Sequence, residues 1–282
     1  MFDQKLTICP VCRSDDLRFF MTDNRGVKID VCSQCTFLFM NPRYSDAHLD
    51  EFYAHYTELE DRDHWNEALA YGHGFHMTRL EAYRAPGTLL DIGCGNGHLL
   101  AAAQRRGWKV TGQEVSATSC NEVSQRLGVE VLCGDFLNLE FDHRFDCISM
   151  HQVLEHVKDP WSFVAKIHSL LNPGGVFFVA TPNIWSLSNR LKYLYERMGL
   201  RKSEIGNYFD SSHHLNYFTP RTMSRLVSRA DFTVKAVRNG HKVRPGQSGL
   251  QRFLMRNITE RFVPRSTFFV IAQKQPHTGT DR

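Results

Sequence analysis

Thr88-Leu-Leu-Asp91-Ile-Gly93-Cys-Gly95-Asn-Gly97 is the stretch of sequence that most restricts the fold of this chain. Its apolar first half and glycine-rich second half predict a buried strand that runs into a tight turn. The next segment, His98-Leu-Leu-Ala-Ala-Ala-Gln-Arg-Arg, predicts a helix that ends at Gly107. A strand, a glycine turn and a helix in this order are typical of a parallel α/β unit.

The spacing of the glycines restricts the ligand. They follow a GxGxG pattern, whereas the pattern that places a dinucleotide pyrophosphate on a helix N-terminus is GxGxxG. Glycine permits a positive φ angle and lets a ligand approach the backbone closely. Asp91 precedes the turn and offers an acceptor to a positively charged group, so a zwitterionic amino acid fits this site better than a pyrophosphate.

Two further strand ends carry acidic residues. Trp108–Glu114 predicts the second strand, and Glu114 lies 23 residues after Asp91, the separation of one strand–helix–strand unit. A carboxylate at this place can accept hydrogen bonds from both hydroxyls of a ribose. The third unit ends in Asp135-Phe136, where Asp135 can accept from an adenine amino group and Phe136 can flank the ring.

The remaining strands complete a doubly wound α/β sheet. They are predicted at 145–150, which leads into His151, at 175–180, at 232–237 and at 266–273. We expect the last two to form the antiparallel pair that closes the sheet. The fold class is therefore Rossmann-like, with seven strands of which the last is antiparallel.

Five segments in order between Thr88 and Thr181 resemble the class I S-adenosylmethionine-dependent methyltransferases. They are DIGCGNG, the acid Glu114, GDF, FDCISMHQVLEHV and LNPGGVFFVATPN. Within that superfamily the LEHV segment is similar to the ubiquinone-biosynthesis and polysaccharide-locus branch. The resemblance implies S-adenosylmethionine as the cofactor. The contacts it implies are Asp91, Gly93, Gly95 and Gly97 at the methionine end, Glu114 at the ribose, Asp135 and Phe136 at the adenine, His151, and Arg79 at the methionine carboxylate.

Four N-terminal cysteines predict a zinc site. Cys9-Pro-Val-Cys12 is followed, after 19 residues, by Cys32-Ser-Gln-Cys35. Two such turns complete a tetrahedral four-sulfur shell, the closed geometry of structural rather than catalytic zinc. A redox motif and an iron–sulfur site are the alternatives, and the redox motif is disfavoured because there are two pairs and no strand–CxxC–helix context.

The chain divides into four predicted segments. They are a zinc ribbon at 1–42, a helical connector at 43–85, a methyltransferase domain at 86–274 with an insertion at 183–219, and a flexible tail at 275–282. The insertion begins with an amphipathic helix at 183–198. An insertion here lies over the carboxyl ends of the strands, so it is a lid or substrate wall, or else an ordinary packing helix.

Charge and composition bear on location and partners. The net charge is +4, yet the segment 221–282 alone carries ten Arg and three Lys against three acidic residues. This segment is either a solvated basic face or a patch for a phosphate-bearing substrate, nucleic acid or membrane surface. No apolar run is long enough to span a bilayer and the first residues lack a secretory pattern, so the cytosol is the expected compartment.

Three functions compete. The first is methyl transfer to a small molecule, most simply to a hydroxyl of a sugar, nucleotide-sugar, polysaccharide or lipid-like precursor. A histidine suits the general base such a transfer needs, and we favour His214 over His151, His156 and His213 because it belongs to the predicted substrate wall. The second is RNA methylation with the ribbon as an RNA grip, which the balanced charge of residues 9–40 disfavours. The third, a non-enzymatic binding module, is disfavoured by the intact Glu114 and Asp135; the acceptor atom, the oligomeric state and the role of the loop 238–265 stay open.

Overall fold

Within the part of the chain that the structure describes, the fold comprises a seven-stranded sheet, a four-stranded sheet and helices that pack against them. This computed structural model describes residues 1–52, 67–199, 209–240, 248 and 263–275, with the backbone alone at 67–72 and 196. Parts of the predicted connector, insertion, basic loop and tail therefore lie outside the described residues. The strands are β1 (Leu17–Thr22), β2 (Lys28–Cys32), β3 (Leu38–Met40), β4 (Thr88–Ile92), β5 (Lys109–Glu114), β6 (Glu130–Cys133), β7 (Phe145–His151), β8 (Leu171–Pro182), β9 (Asn216–Tyr217), β10 (Phe232–Asn239) and β11 (Thr267–Lys274). The helices are α1 (Glu67–Glu81), α2 (His98–Gln104), α3 (Ala117–Leu127), α4 (Pro160–Leu170), α5 (Leu187–Arg197) and α6 (Pro220–Arg229).

The large sheet has the predicted doubly wound topology. Its strand order is β10-β11-β8-β7-β4-β5-β6. Strands β4 to β8 pair in parallel, and β11 is antiparallel to both of its neighbours, β8 and β10. The expected seven strands and the antiparallel closing pair are thus confirmed. The order reverses between β4 and β7, the kind of switch point at which open α/β sheets bind ligands.

Alternating side chains of the strands fill two cores, one on each face of this sheet. On β8, Phe177 and Val179 face one core and Phe178 and Ala180 face the other, as the period of two requires. Helices α4 and α6 cover the first face, and α1, α2 and α3 cover the second. Both faces of the central strands are therefore buried, which explains the continuous apolar run Val176–Ala180 of β8.

The N-terminal segment forms a second sheet that includes a strand from the C-terminal half of the chain. Its order is β1-β2-β3-β9, so that β9, which lies near the end of the predicted insertion, adds to the edge of the ribbon. The turn between β1 and β2 is closed by Asp23, whose carboxylate accepts from the backbone of Arg25 and Val27. The Phe37 and Phe218 rings then pack at a centroid distance of 4.9 Å. The ribbon thus shares a continuous core with one face of the seven-stranded sheet.

Three element boundaries differ from the sequence prediction. Helix α2 ends at Gln104, before Arg105 and Arg106. Strand β8 begins at Leu171, before the predicted start at residue 175, because Phe145 pairs with Leu171, and the register of the pairing shifts before Val176. Helix α5 begins at Leu187, since the Ser186 hydroxyl accepts from the Asn189 backbone and ends the preceding turn.

Helix α6 begins at a capped residue: Thr219 accepts a hydrogen bond from the Thr222 backbone, and Pro220 occupies the first turn. Among the residues that the structure describes, none of the helices combines the length and apolar character needed to cross a bilayer.

Candidate active site

The glycine turn after β4 has the backbone conformation that its sequence predicts. Gly93 and Gly95 have φ angles of +66° and +48°, in the left-handed region that side chains disfavour. A Cβ atom on Gly93 would lie 2.4 Å from Val153 Cγ2, whereas one on Gly95 would meet no atom within 4 Å. Gly93 is therefore required for packing, and Gly95 leaves open space beside the backbone.

Asp91 holds a buried carboxylate at the end of β4. Its Oδ1 atom accepts a hydrogen bond from the Ser149 hydroxyl at 2.5 Å. Burial raises the pKa of Asp91 to about 7; the nearby Glu114 charge adds to this rise, and the Ser149 hydrogen bond opposes it. A buried anion with little compensation favours a ligand that brings positive charge.

A cavity lies against this turn at the carboxyl ends of β4 and β7. Four predicted site residues line it: Asp91, Gly93, Gly95 and His151. Five residues to which the sequence assigned no site role line it as well: His73, Cys94, Asn96, His98 and Leu99. The structure thus brings three of the predicted methionine-end residues, Asp91, Gly93 and Gly95, together around one cavity, and a helix from the connector adds His73 to its wall.

The predicted ribose and adenine residues lie at the ends of β5 and β6. One oxygen of Glu114 accepts from the Gly95 backbone at 3.0 Å, and the other accepts from the Val115 backbone at 2.7 Å. The Asp135 carboxylate is exposed and accepts from the Leu137 backbone at 3.1 Å. Carboxylate oxygens have further lone pairs, so both residues keep the capacity to accept from a ligand.

Glu114 and Asp135 are not among the residues that line the cavity, and three further residues of the predicted set, Phe136, Gly97 and Arg79, do not line it either. The Phe136 ring is buried, with Phe141 and Phe163 against it, which leaves no exposed face for stacking on an adenine. A Cβ atom on Gly97 would lie 2.8 Å from Val123 Cγ1, so this glycine serves the packing of α2 against α3. Arg79 donates to the Phe75 carbonyl and lies over the Phe269 ring.

A first histidine cluster stands at the cavity wall. His73, His76 and His151 have side-chain nitrogens that all lie within 4.8 Å of one another. Burial lowers the pKa of His73 to about 3 and that of His151 to about 4, so both rings are neutral near pH 7. His73 and His76 are three residues apart on α1 and share a face of the helix.

A second histidine cluster follows β7 and contains the predicted base. The nitrogens of His156, His213 and His214 also lie within 4.8 Å of one another. Burial, with the charge of His213, lowers the pKa of His214 to about 4. A hydrogen bond between His214 and the Phe209 backbone opposes this shift.

Glu155 is the buried carboxylate beside this second cluster. Its Oε2 atom accepts from the Thr181 hydroxyl at 2.9 Å, and its Oε1 atom lies 4.0 Å from His156 Nε2. No hydrogen bond reaches Oε1 among the described residues. Burial raises the pKa of Glu155 to about 8, so the group gains or loses a proton in the physiological range.

The four N-terminal cysteines are arranged as a zinc site requires. Their sulfurs lie within 4.8 Å of one another, with 3.6 Å between Cys9 and Cys35 and 3.4 Å between Cys12 and Cys32. These separations are too long for a disulfide bond and close to the sulfur–sulfur distance of about 3.8 Å that a tetrahedral zinc–thiolate shell gives. The donor set therefore fits a closed structural zinc site.

Sequence reasoning gave no site role to His73, His76 and Glu155. The spacing of His73 and His76 by three residues on a predicted helix was the available signal for the first two. Glu155 stands in the quoted LEHV segment, yet its burial depends on β8 and the turn before β9, which pattern alone does not place.

The comparisons with known proteins agree with this geometry. A family profile described as a methyltransferase domain matches residues 64–237. The ubiquinone biosynthesis O-methyltransferase of Coxiella burnetii is 32% identical over 169 residues, which are 55% of this chain and 70% of that protein. The enzyme of the same name from Psychrobacter arcticus is 28% identical over 186 residues, 60% of this chain and 67% of that protein.

Solved structures share the fold at low identity. An S-adenosylmethionine-dependent methyltransferase from Clostridium acetobutylicum superposes with a TM-score of 0.51 at 14% identity, covering 79% of this chain and 99% of that one. The glycopeptide N-methyltransferase MtfA with S-adenosylmethionine gives a TM-score of 0.50 at 17% identity, covering 71% and 86%. The chain therefore belongs to the methyltransferase-domain family, within the class I S-adenosylmethionine-dependent methyltransferases.

Proposed function

We propose that the chain transfers a methyl group from S-adenosylmethionine to a hydroxyl of a small molecule: a sugar, nucleotide-sugar, polysaccharide end or lipid-like phenol. The observation that carries this proposal is that the cavity and the histidine cluster containing His214 lie at the same edge of the sheet. His151 ends β7 and lines the cavity, and His156, five residues later, belongs to the cluster that contains His214. The O-methyltransferase names of the curated relatives support oxygen as the acceptor atom.

The cofactor site uses the residues around the glycine turn. Asp91 and the open backbone of Gly95 would hold the methionine end, with Gly93 and His151 beside them. Glu114 would accept from the ribose hydroxyls and Asp135 from the adenine amino group. Phe136 supports this site from the core. When bound, S-adenosylmethionine supplies an electrophilic methyl group; the protein orients the acceptor and excludes water.

His214 is the proposed general base. The hydrogen bond between the His214 ring and the Phe209 backbone would fix the tautomer, and the other ring nitrogen would then be the one that accepts a proton. The lowered pKa keeps the ring neutral, and neutral imidazole is the form that accepts a proton. His156 and His213 pack against this ring at centroid distances of 4.8 and 4.5 Å and restrict its orientation.

The insertion at 183–219 is the proposed wall of the acceptor site. Helix α5 exposes apolar side chains along one stripe: Leu187, Leu191, Leu194, Tyr195 and Met198. An exposed apolar face near the carboxyl edge of the sheet suits an acceptor with an apolar part. The excess of Arg and Lys in segment 221–282 supports a phosphate-bearing acceptor. Two of these residues contact the ribbon: Arg225 donates to the Gln34 carbonyl and Arg229 donates to the Cys12 carbonyl.

Structural zinc at the four cysteines is the second part of the proposal. The ribbon that it would stabilise is joined to the acceptor side by several backbone and side-chain contacts. The Met40 backbone donates to the Leu215 carbonyl at 2.9 Å, and the buried Arg43 donates to Asn216 Oδ1 at 2.8 Å. Zinc would thus hold the strand that follows His214.

Methyl-labelled S-adenosylmethionine tests the reaction directly. The full chain is incubated with nucleotide-sugars, polyprenyl phenols and RNA in parallel, and labelled product and S-adenosylhomocysteine are measured. We expect a labelled methyl ether on a small molecule, and less of it when Gly95→Ala replaces the wild type at a cofactor concentration below its Kd. Label in RNA alone, with retention that weakens steeply as salt increases, would favour the RNA alternative.

A further inference from the structure

The histidines at the cavity wall have the arrangement of a metal site. The side-chain nitrogens of His73, His76 and His151 all lie within 4.8 Å of one another. Two zinc–nitrogen bonds at the tetrahedral angle separate their nitrogens by about 3.4 Å, so small ring rotations would bring the three onto one ion. The rings already form a compact triangle, with centroid distances of 5.1, 5.8 and 5.8 Å.

The surroundings of this triangle favour a ligand over simple packing. The Nδ1 atom of His73 is buried and has no hydrogen-bond partner among the described residues. An imidazole nitrogen in that state is costly unless water or an ion satisfies it. On the outer side, the His76 ring packs against Phe178 and Phe269 at 5.2 and 5.6 Å, an apolar wall that fixes the ring and excludes water.

The cavity supplies the rest of a coordination sphere. His73 and His151 line it together with the buried Asp91 carboxylate, which would complement the charge of a cation. Three protein ligands leave a fourth tetrahedral position open, and here that position faces the cavity. Imidazole donors suit Zn²⁺, Co²⁺ and Ni²⁺ rather than Mg²⁺ or Ca²⁺.

We infer that His73, His76 and His151 bind a first-row transition-metal dication, separate from the ion at the four cysteines. The helix α1 provides two ligands at a spacing of three residues, and the end of β7 provides the third. This site is independent of the methyl acceptor, and metal binding can be measured with no cofactor present.

Metal content provides the test. Untagged full-length protein is dialysed against Zn²⁺ or Co²⁺ and the bound metal is measured by mass spectrometry. We expect the wild type to bind one more ion per chain than either His73→Gln or His151→Asn does. His143→Gln, at an exposed histidine outside both clusters, is the matched control and should bind as much metal as the wild type.

Cobalt spectra separate the two ions. Co²⁺ at four thiolates shows sulfur-to-metal charge-transfer bands together with d–d bands, whereas Co²⁺ at three imidazoles shows d–d bands alone. The difference spectrum between the wild type and each histidine variant should therefore contain d–d bands and no charge-transfer bands. The inference is overturned if the wild type binds no more metal than the folded histidine variants, or if their cobalt spectra coincide. If both variants fail to fold, the metal content of the wild type decides: two or more ions per chain support the inference, and one ion per chain overturns it.

Discussion

Asp91 and Ser149 are register partners on the adjacent parallel strands β4 and β7, and the Ser149 hydroxyl donates to the Asp91 carboxylate at 2.5 Å. This single hydrogen bond opposes the burial that raises the pKa of Asp91 to about 7. The arrangement keeps a poorly compensated anion at the switch point of the sheet. A site of this kind gives up stability in the empty protein and recovers it when a cationic ligand binds.

Replacement of Asp91 should stabilise the empty protein and weaken the binding of S-adenosylmethionine. Asp91→Asn removes the charge and keeps an oxygen that can accept from Ser149. We expect the melting temperature of the empty protein to rise by about 2–4 °C and the Kd for S-adenosylmethionine to rise at least about tenfold. Thermal melts and calorimetry measure both. Asp142→Asn, at an exposed carboxylate, is the control, and a lower melting temperature with unchanged Kd would contradict the prediction.

Cofactor affinity should depend on pH through the same group. In the empty protein Asp91 takes up a proton as the pH falls through about 7. The ionised form is the one that holds a cationic ligand, so the Kd should rise below pH 7, by up to about tenfold per pH unit. The stability of the empty protein depends on pH in the opposite direction. Through Asp91 alone, the free energy of unfolding falls as the pH rises from the unfolded-state pKa of this group towards 7. Calorimetry across this range should give a flat profile for Asp91→Asn, and an equally flat wild-type profile would refute the assignment.

An alanine at Gly95 should block the cavity. Gly95 has a φ of +48° and open space where a Cβ atom would stand. We expect Gly95→Ala to raise the Kd for S-adenosylmethionine at least about tenfold, with a loss of stability of about 1 kcal/mol from backbone strain. Gly107→Ala is a matched control, since Gly107 has a φ of +87° and equally open space but lies outside the cavity. Equal Kd values for the two variants would show that the turn does not contact the ligand.

His214 should affect turnover and not cofactor binding. We expect His214→Ala to lower kcat at least about tenfold, because the acceptor hydroxyl loses its base, and to leave the Kd for S-adenosylmethionine unchanged. Steady-state kinetics with the acceptor found in the labelling experiment measures this. His143→Ala controls for the loss of any imidazole. A His214→Ala enzyme with wild-type kcat would remove this residue as the base.

Loss of the metal at the four cysteines should lower both the stability of the protein and its turnover. Cys12→Ser should reduce zinc content and lower the melting temperature by about 5 °C or more, because metal ligation supplies much of the folding energy of a small ribbon. Since β3 pairs with β9, kcat should fall as well. Cys133→Ser, at an exposed cysteine outside the cluster, is the control. Full stability without zinc would show that the ribbon folds by packing alone.

Local sequence determined the strand–glycine turn–helix unit around Asp91, the pairs of cysteines and the cap at Thr219, because each depends on residues a few positions apart. It also determined the doubly wound sheet, since apolar strands alternating with helices can bury both faces in few ways. Tertiary structure alone decided what each side chain meets. Phe136 packs in the core, Gly97 supports a helix contact, and His73 reaches the cavity from a helix that precedes the sheet. Contacts between residues far apart in sequence, such as Met40 with Leu215 or His73 with His151, arise from the packing of whole elements, which periodicity and spacing do not encode.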